Sequence, residues 1–211
     1  MTLASDLAQQ LRPTVEDERV LAAIASIPRE LFVPEAERLR AYENVALPIA
    51  CEQTISQPLV VARMLELLEL RPEDRVLDVG TGSGYHAALL AILAGHVWSI
   101  ERHRELSAQA ERTIAQLGID NVEFVVGDGW NGLPEHAPFD AINVAAATGK
   151  TVPATLEQQL ADGGRLVAPV GSLEQHLIVT RRLGNRLERV RMEPVRFVPL
   201  VRDEGRRDNE L

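Results

Sequence analysis

The sequence predicts an α/β fold: a doubly wound, mostly parallel sheet, with helical elements before it and an antiparallel strand added at its C-terminal end. Three observations carry this. From residue 75 onward, short apolar runs alternate with helical stretches. The runs are near-continuously apolar, as strands covered on both faces must be. A glycine cluster, Gly80-Thr81-Gly82-Ser83-Gly84, marks the turn from the first run into the first helix of the alternation. In open α/β sheets such a turn lies beyond the carboxyl ends of the strands, where ligands bind.

Residues 15–26 have apolar positions at near-helical spacing (Val15, Val20, Ile24, then Ile27) and predict a helix. Pro28 and Pro34 break the chain, and residues 35–56, with Pro48 inside, read as irregular. Gln57-Pro58 suits a helix start, and Leu59 to Leu70 forms the helix, stopped by Arg71-Pro72. The alternation then runs RVLDVG (75–80), helix 85–95 closed by Gly95, HVWSIE (96–101), helix 102–118 closed by Gly118, and NVEFVVGD (121–128). It continues with FDAINVAA (139–146), a helix over 153–161, and GRLVAPVG (164–171). QHLIVTRR (175–182) and the β-rich tail LERVRMEPVRFVPLV (187–201) are joined by the short link Leu183-Gly184-Asn185-Arg186, which suits an antiparallel hairpin. The charged end, residues 202–211, is expected to fray.

With 211 residues, 45% apolar and 25% charged, the chain is expected to form one domain. Residues 1–74 form an N-terminal helical and substrate-side segment, 75–182 the α/β core and 183–211 the β tail. Ser5, Asp6, Gln9, Gln10 and Arg12 near the start argue against a signal peptide, and no window is apolar enough to span a membrane. The single cysteine, Cys51, allows no intrachain disulfide, so a cytoplasmic location is expected. A net charge of −9 weighs against a nucleic-acid partner. Arg181, Arg182, Arg186, Arg189, Arg191 and Arg196 make the C-terminal third locally basic, which reads as a solvated sheet edge.

The glycine turn alone serves dinucleotides and S-adenosylmethionine alike. Its spacing lacks the third glycine of the dinucleotide pattern, since Tyr85 and His86 follow Gly84. Glu101 ends the next strand about 20 residues on, where a carboxylate can accept from ribose hydroxyls. Gly127-Asp128-Gly129 ends the third strand, where an acid can accept from an adenine amino group. Asp78 is placed to orient the glycine loop or to face the amino-acid end of the cofactor. Acids at two successive strand ends after a glycine turn suit a Rossmann-like, class I methyltransferase using S-adenosylmethionine.

The chain resembles the protein-L-isoaspartate O-methyltransferases over nearly all of residues 15–201. The resemblance rests on Pro28-Arg29, Leu31-Phe32-Val33-Pro34, Leu47-Pro48-Ile49 and Gln53-Thr54-Ile55-Ser56-Gln57-Pro58. It continues through 76–85, Ser99-Ile100-Glu101, Gly127-Asp128-Gly129, Pro138–Ile142, Gly163–Val167 and Phe197-Val198-Pro199-Leu200. It implies methyl transfer from S-adenosylmethionine to the free α-carboxylate of L-isoaspartyl residues in damaged proteins or peptides. The ester formed cyclises to a succinimide that can reopen to aspartate. It implies Ser56 as the catalytic position and Gln53, Thr54, Ile55 and Ser56 lining the gap between cofactor and substrate. Cofactor contacts fall on Asp78, Gly80, Thr81, Gly82, Ser83, Glu101, Asp128 and Gly129, and substrate contacts on Ser56, Val198, Pro199 and Leu200. The chain departs from the family at Ala50 and Glu52, where glycines are common, in the loop Ala145-Ala146-Ala147-Thr148-Gly149, and at Asp78, where glutamate is usual.

A carboxylate acceptor has a pKa of ~3.5 and is ionised at neutral pH, so no general base is needed. Ser56 then reads as a hydroxyl that positions the acceptor, as an N-cap for the helix at Pro58, or as both. The five histidines and Cys51 show no metal-ligand spacing, so no metal is expected. Trp98 and Trp130 read as core aromatics, Trp130 with a possible stacking place near adenine. A same-fold methyltransferase for another acceptor (a small molecule, another protein group or RNA) and a non-catalytic isoaspartyl binder stay open. A monomer is the expected state.

Overall fold

The structure, a computed structural model, describes residues 2–202. The charged end expected to fray lies outside the described residues, apart from Arg202. Helix α1 (Leu3–Leu11) precedes the first predicted helix. Its signal was present in Ala4, Leu7, Ala8 and Leu11, which share one buried face, and Thr2 Oγ1 caps it by accepting from Ser5 N. Helix α2 (Glu18–Ser26) starts three residues later than the periodicity suggested, because Asp17 caps it through Arg19 N.

Two 3₁₀ turns (Arg29–Phe32 and Glu35–Arg40) follow. Within the stretch read as irregular, β1 (Leu47–Pro48) pairs antiparallel with β2 (Thr54–Ile55). Helix α3 (Pro58–Leu68) begins with its proline in the first turn, as expected.

The alternation then delivers β3 (Arg75–Val79), α4 (Tyr85–Leu93), β4 (His96–Glu101), α5 (Arg104–Gln116), β5 (Val122–Val126), β6 (Phe139–Val144), α6 (Ala154–Gln158), β7 (Leu160–Val170), β8 (Gln175–Leu183) and β9 (Arg186–Val195). Helix α6 is shorter than the predicted 153–161 because β7 already begins at Leu160. Gly118 closes α5 with a left-handed φ of 71°. Gly95 does not close α4 in that way. A Cβ there would lie 2.9 Å from the Pro72 carbonyl oxygen, so the glycine permits close packing of two backbones.

The seven strands lie in the order β5-β4-β3-β6-β7-β8-β9. The first five are parallel, and β8 pairs antiparallel with both β7 and β9. The expected hairpin thus joins the sheet, and β8 is the strand of reversed direction. Side chains alternate between two cores. Val76, Val97, Ala141 and Val167 face the helices α2, α3 and α4, while Leu77, Trp98, Ile142 and Leu166 face α6 and its flanking turns.

Arg165, on β7, locks α3 to the sheet. It is 6% exposed and pairs with Asp74 at 2.9 Å. Its other donors reach the carbonyls of Leu68, Glu69 and Asp140 at the end of α3 and on β6. We expect Arg165→Met to lower stability by about 3–5 kcal/mol, since Asp74 would be left buried without its cation. Urea denaturation measures this, and a loss under about 1 kcal/mol, the size of an exposed pair, would refute the locking role.

Candidate functional site

The winding of the sheet reverses between β3 and β6. The chain leaves β3 for β4 and β5, then returns to β6 on the other side of β3. Loops diverge there and open a crevice beyond the strand ends. Gly80 and Gly82 take left-handed φ values of 93° and 52° in the turn. Gly84 caps α4, and a Cβ on it would come within 2.8 Å of Ala110 Cβ, so the glycine lets α4 start against α5.

Beneath this turn sits Asp78, fully buried. Its Oδ1 accepts from Asn143 Nδ2 at 2.8 Å and its Oδ2 from Ser99 Oγ at 2.8 Å. Ser99 Oγ is also 2.6 Å from Thr81 Oγ1, which links the carboxylate to the glycine turn. Burial pushes the carboxyl up to about 6, against the two hydrogen bonds that favour its ionised form. Glu101 holds the turn from its other flank. Its Oε2 accepts from Gly82 N at 3.0 Å and its Oε1 from His103 N at 2.9 Å. Each oxygen keeps a further lone pair.

The crevice holds a cavity of about 320 Å³. Of the residues singled out in the sequence, Gln53, Thr54, Ile55, Ser56, Gly80, Thr81, Gly82, Ser83, Glu101, Gly129, Val198, Pro199 and Leu200 all line it. Asp78 and Asp128 do not. Asp78 lies below the loop because its oxygens serve Asn143 and Ser99. Asp128 caps the 3₁₀ turn Gly129–Asn131 by accepting from Trp130 N at 2.9 Å. Gly129 itself must be a glycine, since a Cβ would lie 2.6 Å from Val79 Cγ1. Trp130 and Tyr42 lie outside the lining, and Trp98 is buried in the core against Phe139.

Ser56 does not cap α3. The cap comes from Asn44, whose Oδ1 accepts from Leu59 N at 3.0 Å. The Ser56 hydroxyl has no hydrogen bond to the described residues and lies on the cavity. Ahead of it, Cys51 and Glu52 form a tight turn with φ of 57° each, closed by Gln53 N to Ala50 O at 3.2 Å. Glu52 therefore occupies a backbone conformation that favours glycine. Its departure from the family costs local strain and keeps the path of the chain.

The tail reaches the cavity through main-chain bonds. Ala147 N donates to Val198 O and Leu200 N donates to Ala147 O, both at 2.8 Å. Gln175 clamps Phe197, its Oε1 accepting from Phe197 N at 2.6 Å and its Nε2 donating to Phe197 O at 3.1 Å. Since the 145–149 loop holds the tail by backbone at Ala147, its altered side chains leave that bond intact.

Sequence reasoning passed over Ser99, Asn143 and Gln175, which have no local signature and matter only through distant partners. It also set His86 aside among the other histidines, although His86 lines the cavity. Burial lowers its imidazole to about 4, so it is neutral at pH 7. Among the described residues, no group of three or more His, Cys, Asp or Glu side chains could hold a metal. The features that fit S-adenosylmethionine are a positive-φ glycine turn, a carboxylate at the end of the neighbouring strand and a glycine where a ring could approach.

Comparison with known proteins agrees with this geometry. A family model described as protein-L-isoaspartate(D-aspartate) O-methyltransferase (PCMT) matches residues 3–205. The chain is 53% identical over 203 residues to the protein-L-isoaspartate O-methyltransferase of Serratia proteamaculans, with 96% of each covered. It is 52% identical over 195 residues to that of Aeromonas hydrophila, covering 92% of this chain and 95% of the relative. A solved structure of this name superposes with a TM-score of 0.84 at 33% identity, over 92% of this chain and 64% of that one. One from Plasmodium falciparum, in complex with S-adenosyl-L-homocysteine, gives 0.83 at 26% identity over 95% and 99%.

Asp78 should leave a signature in the pH dependence of stability. Below pH 3.8 both folded and unfolded chains hold its proton. As pH rises, the unfolded chain releases the proton first, while the folded chain keeps it to about pH 6. The stability contributed by this site therefore falls across that interval. Asp78→Asn removes the titration, so its stability relative to the parent should rise by on the order of 2–3 kcal/mol between pH 4 and pH 7. Urea midpoints at a series of pH values measure it. A difference that stays flat with pH would mean that the buried carboxyl titrates normally.

Proposed function

The chain belongs to the protein-L-isoaspartate(D-aspartate) O-methyltransferase family, and we propose that its cavity seats the methyl donor along Gly80–Ser83, Glu101 and Gly129, with the acceptor at Ser56. The protein is an S-adenosylmethionine-dependent carboxyl O-methyltransferase that acts on isoaspartyl-containing proteins and so repairs isoaspartyl damage. When bound, S-adenosylmethionine supplies an electrophilic methyl group on a cationic sulfur.

The observation that carries the assignment of roles is the meeting of two distant segments. Gln53–Ser56 and Val198–Leu200 line one cavity together with Gly82 and Glu101. In this proposal Glu101 accepts from the donor's ribose hydroxyls with its remaining lone pairs. Gly129 gives the adenine ring room, presented by the turn that Asp128 caps. Asp78 acts from below, holding the turn in shape through Ser99 and Thr81. Thr54 and Gln53 flank the gap.

The acceptor needs orientation and dryness more than activation. Its carboxylate is ionised at neutral pH, so no side chain has to remove a proton. The Ser56 hydroxyl donates to it and fixes the direction of approach, which can contribute several kcal/mol, up to roughly 7–11 in favourable systems. Ile55, Val61, Val198, Pro199 and Leu200 supply apolar wall and exclude water that would solvate the nucleophilic oxygen. The tail can hold a peptide by backbone bonds, which tolerates many flanking side chains. All of these groups come from one chain, so a monomer suffices. The cytoplasm is the proposed site of action, in keeping with the single cysteine.

The test is methyl incorporation into matched peptides. We expect a base-labile ester on the L-isoaspartyl peptide and none on its aspartyl counterpart. Equal labelling of both, or of neither while S-adenosylhomocysteine still binds, would assign the chain to another acceptor.

For the serine, Ser56→Ala should lower turnover about 10- to 100-fold through lost orientation of the acceptor. Affinity for S-adenosylhomocysteine and thermal stability should hold, because Asn44 and not Ser56 caps α3. Normal turnover in this variant would reduce Ser56 to a wall residue.

A further inference from the structure

We propose that Arg29 is a positioning residue for the acceptor: an unpaired cation held directly behind the wall that the isoaspartyl carboxylate approaches. The inference rests on the methyl-transfer reading above and extends it to the origin of carboxylate preference.

Arg29 is 0% exposed. Its Nε donates to Ala41 O at 2.9 Å and its Nη2 to Ser56 O at 2.8 Å. Its Nη1 is buried without a partner. No salt bridge to Arg29 occurs among the described residues. Glu30, on the same turn, is engaged by the Tyr42 hydroxyl instead. The contrast with Arg165 is direct, since that buried arginine is paired with Asp74. A buried cation without an anion is costly unless something supplies the anion.

The surroundings place Arg29 against the cavity wall. The guanidinium carbon lies 4.8 Å from the Tyr85 ring centroid. Ser56 and Tyr85, both in contact with Arg29, line the cavity, as does His86 next in the chain. The Tyr85 hydroxyl is buried within electrostatic reach of Arg29, and neither it nor His86 Nε2 makes a geometric hydrogen bond. Neither residue offsets or adds charge, because burial pushes the Tyr85 phenol up to about 12 and lowers the His86 imidazole to about 4. Glu30, whose charge also reaches Tyr85, bonds Tyr42 and makes no ion pair with Arg29, so the guanidinium behind Ser56 is without a paired carboxylate in a poorly solvated region, where its field is least screened.

A carboxylate seated at the Ser56 hydroxyl supplies the missing anion. The field favours the ionised acceptor over a neutral group of the same shape. Methyl transfer neutralises the carboxylate, so the cation stabilises the bound reactant more than the transition state. Removing the charge should therefore raise KM, with no loss of kcat from the charge itself. The hydrogen bond to Ser56 O is separate and steadies the backbone that carries the hydroxyl.

The experiment compares Arg29→Met and Arg29→Lys with the parent on an L-isoaspartyl peptide. Arg29→Met should raise the peptide KM by about tenfold or more with S-adenosylhomocysteine affinity unchanged. Arg29→Lys should recover most of that KM, since it keeps the charge, while kcat falls with the lost grip on Ser56. In the parent, the same peptide carrying a carboxamide in place of the isoaspartyl α-carboxylate should compete at least about tenfold more weakly. That discrimination should persist in Arg29→Lys and collapse in Arg29→Met. An unchanged KM in Arg29→Met, or a KM in Arg29→Lys as poor as in Arg29→Met, would overturn the proposal. If Arg29→Met does not fold, equal competition by the carboxamide in the parent, or loss of discrimination in Arg29→Lys, overturns it instead. A parent that fails to methylate the peptide at all would refute the underlying reading, and the proposal with it.

Discussion

Asp78 ties together three strands at the point where the winding of the sheet reverses. Its carboxylate takes one hydrogen bond from β4 through Ser99 and another from β6 through Asn143. Through Ser99 it also reaches Thr81 in the glycine turn. A buried acid is a costly anchor, because the ionised form loses its water. The cost is offset in part by two donors aimed at it. The gain is geometric: the strands on either side of the crevice and the loop across it share one centre. Glu101 completes the frame by holding Gly82 and His103 from the neighbouring strand end.

On that frame, the two segments proposed to meet the acceptor are carried outside the seven-stranded sheet. The Gln53–Ser56 segment is steadied by Arg29 from behind and leads into a helix capped by Asn44. The Val198–Leu200 segment is pinned by main-chain bonds to Ala147 and upstream by the Gln175 amide. In both cases the backbone is held, and the Ser56 hydroxyl keeps no hydrogen bond to the described residues, although the Gln53 amide donates to Cys51 O at 3.0 Å. This arrangement explains how the 145–149 loop can differ from the family pattern while its hold on the tail persists.

Charge is distributed with the same economy. Three arginines of the C-terminal strands are matched with acids: Arg181 with Glu69, Arg189 with Glu157, Arg186 with Glu188. Half of the six arginines that make that stretch look basic in sequence thus find a carboxylate, while Arg182 donates to the Glu157 carbonyl and Arg191 meets the His176 ring. Arg29 is fully buried and without a carboxylate. Its pairing is decided by what surrounds it in space, and nothing in its neighbours along the chain would distinguish it from the paired arginines.

From residue 75 onward the order and type of the α/β elements were legible along the chain, because buried parallel strands and amphipathic helices impose local periodicities. The sequence also marked the glycine turn, Glu101 and Gly129, since those positions carry residue types that strand ends and close approaches demand. It under-read α1, whose apolar spacing was legible at Ala4, Leu7, Ala8 and Leu11, and it overextended α6 where β7 begins. Which polar groups find each other emerged in three dimensions. Asp78 turned inward to Ser99 and Asn143, Ser56 lost the capping role to Asn44, and Arg29 was left without an acid. Hydrogen bonds and ion pairs between residues 15 to 65 positions apart have no period along the chain. They are set by how the two faces of the sheet are packed, and so they emerge only when the fold is complete.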